Sequence, residues 1–359
     1  MRVPLLDLRA LHEPLHAELT AAAERVIASG QFILGPEVAA LERDVAALCG
    51  VPHAVGVSSG SDALLATLMA LGVGPGDEVV TPALSFIATP EAVVRLGARP
   101  VFVDVGADFN ISPAAALDRV GRRTRAILAV DLFGRRAPIT LLGAAGVAVV
   151  EDAAQAIGTP ALGHGAAAAT LSFFPSKNLG ALGDGGMVLT HDALLAERVR
   201  LLRVHGAHPK YVHAVWGGNF RLDALQAALL RVKLPHLERW NQTRRASAER
   251  YLAGLDAIEG LVLPPAGPKD AWHQFVVRVR GGRRDALRAH LAAHGVDSEV
   301  YYPLALHLQP CFTDLGGRPG DCPNAETVTR EALALPIHAA LTPAQVEHVM
   351  DCIRRFFRS

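Results

Sequence analysis

The chain has 359 residues, half of them hydrophobic, and its 35 lysines and arginines balance 35 aspartates and glutamates. That length supports a large core that ordinarily divides into two domains, and zero net charge excludes a general attraction to nucleic acid or to an anionic membrane surface. The four cysteines, Cys49, Cys311, Cys322 and Cys352, are scattered with no C-x-x-C pair, which speaks against a disulfide framework or zinc ribbon and fits a reducing compartment.

The opening MRVPLLDLRALHE meets charge within a few residues and has no signal-peptide core, and no later window is apolar over a membrane's thickness. A soluble, cytoplasmic protein with a small-molecule partner is expected. Apolar residues recur at helical spacing from Thr20 to Ser29 and from Glu37 to Leu48, with Gly30 and Gly50 as stops. His53 to Val57 reads as a strand that breaks at Ser58-Ser-Gly-Ser61 into a helix, Asp62 to Leu71. Further strands are expected at Glu78 to Thr81, Pro100 to Val103, Ala126 to Val130, Val147 to Val150 and Met187 to Thr190, with a helix from Ile87 to Leu96. Strands alternating with helices imply a mostly parallel sheet covered on both faces. Beyond Asn219 a long helical stretch, Arg221 to Leu255, is interrupted by Pro235, which should kink or break it. The division is placed there: a large α/β domain over residues 1–235 with N-terminal helices, and a smaller α+β domain over residues 236–359. The latter holds a strand at His273 to Val279 and helices at Arg284 to His294 and Pro343 to Phe356.

Three literal motif matches need weighing. His12-Glu-Pro-Leu-His16 fits H-E-x-x-H, but Pro14 pushes Glu13 out of the helical region, so the two histidines should not share a helix face. No metal site is expected. Gly72-x-Gly74-x-Gly76 follows a helix and precedes a strand, the reverse of a dinucleotide loop, and reads as a turn. Gly56-Val-Ser58-Ser-Gly60 fits the G-x-S-x-G elbow of a serine hydrolase and sits between strand and helix. Its second reading is a phosphate seat, because Ser59, Gly60 and Ser61 offer backbone N–H groups and hydroxyls at a helix N-terminus.

Two further features favour the phosphate seat. Asp152 lies just past the apolar run Val147 to Val150, at the strand end where open α/β sheets place ligands, and Gln155 follows it. Lys177, one of only four lysines, stands in LSFFPSKNLGALGDGG among apolar residues and glycines. Desolvation there disfavours the ammonium and makes the amine a nucleophile toward carbonyls. A pyridine cofactor needs an acid for its ring nitrogen, a lysine for its carbonyl and a seat for its phosphate, and all three are present in the order seat, acid, lysine.

The chain resembles the DegT/DnrJ/EryC1/StrS sugar aminotransferases. The resemblance runs through LDL (Leu6 to Leu8), ILGPEV (Ile33 to Val38), the run from Gly72 to Thr89, EDAAQ (Glu151 to Gln155), SFFPSKNLGALGDGG (Ser172 to Gly186), NFRLDALQAA (Asn219 to Ala228) and LPIH (Leu335 to His338). It implies the aspartate-aminotransferase-like fold, pyridoxal 5'-phosphate, glutamate as amino donor and a nucleotide-linked keto sugar as acceptor. It also carries roles over to particular residues. Lys177 matches the lysine that binds the cofactor covalently and Asp152 the partner of the ring nitrogen. Gln155 lies near the phenolic oxygen, Ser59, Gly60, Ser61 and Ser172 hold the phosphate, and Phe86 stacks on the ring. Asn219 reaches the phosphate from a second subunit, so a homodimer with shared sites is implied, and Tyr301 and His307 contact the sugar. The segment Thr159 to Ala169 departs from the family in being shorter and alanine-rich.

A lysine at position 177 implies transamination, since dehydratase relatives carry histidine there. The stretches Arg203 to Gly206 and Gly217 to Asp223, with Tyr211, resemble members acting on UDP-linked 3-keto acetamido sugars of polysaccharide and lipopolysaccharide synthesis. A 4-keto sugar or a dTDP-linked 3-keto-6-deoxy sugar is the alternative, and a serine hydrolase using Ser58 a distant one.

Overall fold

The computed structural model describes residues 1–267 and 269–358. Seven strands, β1 (His53–Val57), β2 (Glu78–Pro82), β3 (Arg99–Val103), β4 (Thr124–Val130), β5 (Ala148–Asp152), β6 (Ala168–Ser172) and β7 (Gly186–Thr190), form one sheet in the order β1-β7-β6-β5-β4-β2-β3. The ladders from β3 through β2, β4 and β5 to β6 are parallel, whereas β7 is antiparallel to both β6 and β1. The sheet is therefore mostly parallel, and the middles of its central strands are apolar because helices cover both faces. Ile127, Leu128, Val149 and Val150 are all buried.

Helix Gly60–Ala70 explains how the sheet meets the site. Its residues Ala63, Leu64, Leu65, Ala66 and Leu68 point in all directions and are all buried, the pattern of an interior helix. It packs on β6 and β7 and against helices Ala88–Val94 and Ala193–Leu202, with its N-terminus at the edge where β5 and β6 end. Gly30 and Gly50 close helices His16–Ser29 and Pro36–Cys49 in the left-handed conformation, at φ of 66° and 68°, as their sequence positions implied.

Pro235 acts as expected. Helix Ala224–Lys233 ends, one tight 3-10 turn spans Leu234–His236, and helix Leu237–Leu255 follows. Three short antiparallel strands, β8 (Leu261–Val262), β9 (Phe275–Val279) and β10 (Ala332–Leu335), then form a second sheet in the order β10-β9-β8. Tyr251, Phe275, Leu291, Leu333, Val349 and Ile353 build its core, and Val3 from the N-terminus joins them. The Val3 N–H donates to Gly295 O and its carbonyl accepts from Asp297 N–H, at 2.8 and 2.9 Å.

Three strands were not expected. β8 is only two residues long, β6 overlaps the alanine-rich patch Gly165 to Ala169, and β10 reads ALAL; alanine carries little strand propensity, so β6 and β10 depend on neighbouring ladders rather than local preference. No helix among the described residues is long and apolar enough to cross a membrane.

Candidate active site

The carboxyl ends of β5 and β6, the N-terminus of helix Gly60–Ala70 and the start of β9 enclose a cavity of about 380 Å³. A larger groove of about 810 Å³ lies elsewhere, along helices His16–Ser29 and Ala224–Lys233, but it does not touch Lys177 or Asp152. Convergent polar groups, not volume, single out the smaller cavity.

Lys177 lines the cavity on the loop after β6, its backbone N–H bonded to Phe174 O at 2.8 Å. Burial lowers its pKa from 10.5 to about 8, with Asp152 pulling the other way. Gly180 and Gly186 let this loop pack closely: a Cβ on Gly180 would overlap Pro175 O, and one on Gly186 would overlap Ser59 O. Asp152 is 6% exposed at the end of β5. Its Oδ2 accepts from Thr89 Oγ1 at 2.9 Å and its Oδ1 from Ala154 N–H at 3.3 Å. Burial raises its pKa against those hydrogen bonds and the nearby Lys177 charge, so the carboxylate is poised for a cationic partner.

The turn read in the sequence as a phosphate seat lies at the N-terminus of helix Gly60–Ala70. Ser59 caps the helix, its Oγ accepting from Asp62 N–H at 3.0 Å, and first-turn N–H groups at Gly60 and Ser61 are the ones a helix leaves without carbonyl partners. A Cβ on Gly60 would come within 2.6 Å of Ser172 Cβ, so only glycine lets the turn and the end of β6 close together. Ser58 is not an elbow nucleophile: its hydroxyl meets Asp62 Oδ2 at 2.6 Å, a carboxylate four residues on rather than an imidazole.

Of the remaining expected residues, Phe86 lines the cavity while 55% exposed, with its ring centroid 6.2 Å from that of Tyr302. Gln155 is held on both sides, its Oε1 accepting from Phe133 N–H at 2.6 Å and its Nε2 donating to Tyr302 OH at 3.4 Å. Ser172 and Tyr301 line the cavity. Asn219 is exposed and lies outside its own chain's cavity. His307 is not brought to the cavity either. The chain turns inward after Tyr302, with Leu306 N–H bonded to Ala83 O at 2.8 Å, and buried His307 meets Glu326 Oε1 through Nε2 at 3.2 Å. The literal H-E-x-x-H is split by a tight turn at Glu13–Leu15, and His12 faces Lys233 Nζ at 2.8 Å.

The cavity also contains Thr89, His273, Gln274 and Tyr302, which sequence reasoning did not single out. Thr89 closes the family-like run from Gly72, and His273 opened an expected strand; neither position announced a site. Asn178 Nδ2 donates to Asn241 Oδ1 and to Ala271 O, both at 2.8 Å, so its Oδ1 must accept, and it does so from His273 Nδ1 at 3.2 Å. That assigns the proton of the ring to Nδ1 and leaves Nε2 a lone-pair acceptor. Burial, then the charges of Lys177 and Arg244, hold His273 neutral, well below its ordinary pKa.

An acid, a desolvated lysine and a glycine-tight helix N-terminus on one cavity fit pyridoxal 5'-phosphate. The DegT/DnrJ/EryC1/StrS aminotransferase family matches this sequence over residues 14–354. The chain belongs to that family. This aminotransferase is 47% identical to the erythromycin biosynthesis sensory transduction protein EryC1 of Saccharopolyspora erythraea, with 99% of each chain covered. It is 44% identical to the dTDP-3-amino-3,4,6-trideoxy-alpha-D-glucose transaminase of Streptomyces venezuelae, covering 99% of this chain and 96% of the relative. It is 43% identical to the UDP-N-acetyl-3-dehydro-alpha-D-glucosamine 3-aminotransferase of Acidithiobacillus ferrooxidans, covering 98% and 97%. The solved structure of S. venezuelae DesV superposes with a TM-score of 0.97 at 44% identity, over 100% of this chain and 99% of that one. That of NtdA from Bacillus subtilis, with bound cofactor PMP, superposes with a TM-score of 0.95 at 30% identity, over 100% and 86%. The aminotransferase is thus a pyridoxal-phosphate-dependent enzyme, and the serine-hydrolase reading has no support.

Proposed function

We propose that this enzyme moves an amino group from glutamate to the 3-keto group of a UDP-linked acetamido hexose or hexuronate. The observation that carries the reading is the convergence of Lys177, Asp152 and the turn Ser59 to Ser61 on one cavity. When bound, the cofactor supplies a protonated pyridine ring that draws electrons from the bond broken at the donor's α-carbon. Asp152 would hold the proton on the ring nitrogen, with Thr89 aiming Asp152, and Ser59, Gly60, Ser61 and Ser172 would seat the phosphate. Phe86 would cover the ring and Gln155 would lie toward its phenolic oxygen. Lys177 Nζ carries the proton to and from the α-carbon, which an amine of pKa about 8 does at neutral pH.

Position 3 is supported by the names of the S. venezuelae and A. ferrooxidans relatives, both of which place an amino group there. Those names also divide between dTDP and UDP, so a dTDP-linked 3-keto-6-deoxy sugar is the second reading. Tyr301 contacts the sugar. A cytoplasmic homodimer completes the site, each Asn219 reaching the partner's phosphate seat. Support for a covering partner comes from a segment just before Asn219, where Tyr211 is 80% and Trp216 94% exposed. The division into two domains is kept at residue 235, where a tight turn interrupts the helix.

The test offers glutamate with UDP- and dTDP-linked 3-keto and 4-keto sugars, reading the product position by NMR. Amination at C3 of the UDP sugar is expected. Turnover confined to 4-keto sugars, or none with any sugar, overturns the assignment.

A further inference from the structure

Two backbone carbonyls, Ile157 O and Ala271 O, set the direction of a buried chain of hydrogen bonds that ends on the Lys177 cavity. A carbonyl only accepts, so the Asn241 Nδ2 that meets Ile157 O at 3.0 Å is an NH₂ group and Asn241 Oδ1 is an acceptor. Asn178 Nδ2 donates to that Oδ1 and to Ala271 O, both at 2.8 Å, which commits both of its N–H bonds. Its Oδ1 then takes the Nδ1–H of His273 at 3.2 Å, and the ring keeps a bare lone pair at Nε2. The backbone of His273 is equally constrained. Its carbonyl accepts from Arg244 Nη1 at 3.2 Å, and a Cβ on Gly134 would stand 2.8 Å from its nitrogen, so glycine lets the two segments meet. One tautomer of a neutral imidazole is thus held on the wall of the Lys177 cavity, 8% exposed, with no partner for Nε2 among the described residues.

The cavity contains a group that needs such an acceptor. When Lys177 Nζ takes the proton from the donor's α-carbon it becomes an ammonium with three N–H bonds, in a place where burial disfavours that charge. Asp152 is proposed for the cofactor's ring nitrogen, and Gln155 Oε1 is occupied by Phe133 N–H at 2.6 Å. His273 is close at hand, because its ring touches Asn178, the next residue after Lys177. The charged groups around the pair are Asp152 at the end of β5, Asp184 on the Lys177 loop and Arg244 behind His273, with Tyr301 and Tyr302 also on the cavity wall. Burial, then the charges of Lys177 and Arg244, keep the imidazole from taking a proton of its own. It can therefore accept a hydrogen bond without competing for the proton that must return.

We propose that His273 Nε2 is the acceptor that docks the Lys177 ammonium while Nζ carries the α-proton, with Asn178 and Asn241 holding the lone pair in place. The proton stays on Nζ, and no bond to the ring forms or breaks. The inference rests on the aminotransferase reading and adds a catalytic residue to it.

Two substitutions separate the two sides of the ring. In H273N the amide nitrogen stands where Nδ1 is, so the bond to Asn178 is kept and the acceptor is lost. In H273Q an amide oxygen stands near Nε2, so the acceptor is kept and the bond to Asn178 is lost. The first readout uses cofactor-free enzyme, in which Lys177 is one of only four lysines to be resolved by NMR of isotopically labelled lysine side chains. Its titration midpoint should fall by about one pH unit in H273N and stay within about 0.3 unit of wild type in H273Q, since only the first removes a hydrogen bond to the ammonium. The second readout is removal of glutamate's α-hydrogen by the loaded enzyme, followed by cofactor absorbance. That rate should fall on the order of 10- to 100-fold in H273N with KM within about twofold, and lie within about threefold of wild type in H273Q. A purely structural role gives the reverse ranking, H273N like wild type and H273Q impaired, and that result overturns the proposal, as does an unchanged Lys177 midpoint in H273N. A midpoint that shifts in H273N while wild-type enzyme never aminates its cofactor from glutamate overturns the aminotransferase reading and leaves the contact between Lys177 and His273 standing.

Discussion

Thr89 Oγ1 donates to Asp152 Oδ2 across 2.9 Å, and because that proton is committed, the 2.9 Å contact between Thr89 and Ser85 must run from Ser85. Two hydroxyls in series therefore fix the carboxylate proposed to pair with the cofactor's ring nitrogen. A hydrogen bond to a charged group contributes about 1.5–3 kcal/mol, which at 1.36 kcal/mol per decade sets a loss of roughly ten- to hundredfold in amino-transfer rate for Thr89→Val. Asp152→Asn removes the charge itself and should cost about 10²–10³ in kcat. Stopped-flow measurement of each half-reaction checks both; a Thr89→Val enzyme at wild-type rate would show that Asp152 is aimed by other contacts.

Lys177 gives a pH dependence with a definite sign. Its ammonium, ordinarily stable to 10.5, loses its proton at about 8 in the folded protein, and only the amine attacks a carbonyl. Capture of pyridoxal phosphate by cofactor-free enzyme should therefore be slow near pH 6, rise with a midpoint near 8 and level off above it. A capture rate flat from pH 6 to 9 would contradict the cause given for the shift.

Gly60 is required by close approach to Ser172. Gly60→Ala should push the helix N-terminus from the end of β6 and weaken pyridoxal-phosphate binding while leaving the secondary structure intact. Equilibrium dialysis alongside circular dichroism separates the two, and unchanged cofactor affinity would remove the phosphate from this turn.

Lys233 is the second lysine that burial brings to about 8, and it is held by Gly180 O and His12. Its role is to tie the loop after Lys177 to the helix bearing it. Lys233→Met orphans both partners and should destabilise the fold by about 1–3 kcal/mol, read as a lower denaturant midpoint.

The sequence made much of this legible because sheet and helix signals are local. The runs Ala54 to Val57 and Val147 to Val150 are apolar, and Ser59, Gly60 and Asp152 fall just past them, while Lys177 stands out as a rare lysine among apolar residues and glycines. β6 and β10 escaped because alanine-rich strands are specified by their neighbours. Thr89, His273 and Arg244 escaped for a different reason: their partners lie far away in the chain, Thr89 being 63 residues from Asp152 and Arg244 reaching Ile337 across 93. His307 misled because its sequence context matches a sugar-contacting position, while Glu326, 19 residues on, holds its ring elsewhere.

The central claim is that one particular lysine binds the cofactor, and borohydride reduction of the loaded enzyme followed by peptide mass mapping tests it most directly. Reduction makes permanent the bond between the cofactor's carbonyl and an amine. The account predicts the phosphopyridoxyl group on the peptide bearing Lys177, lost in Lys177→Ala; a label on Lys233, the other lysine that burial brings to about 8, or on no lysine at all, would contradict it.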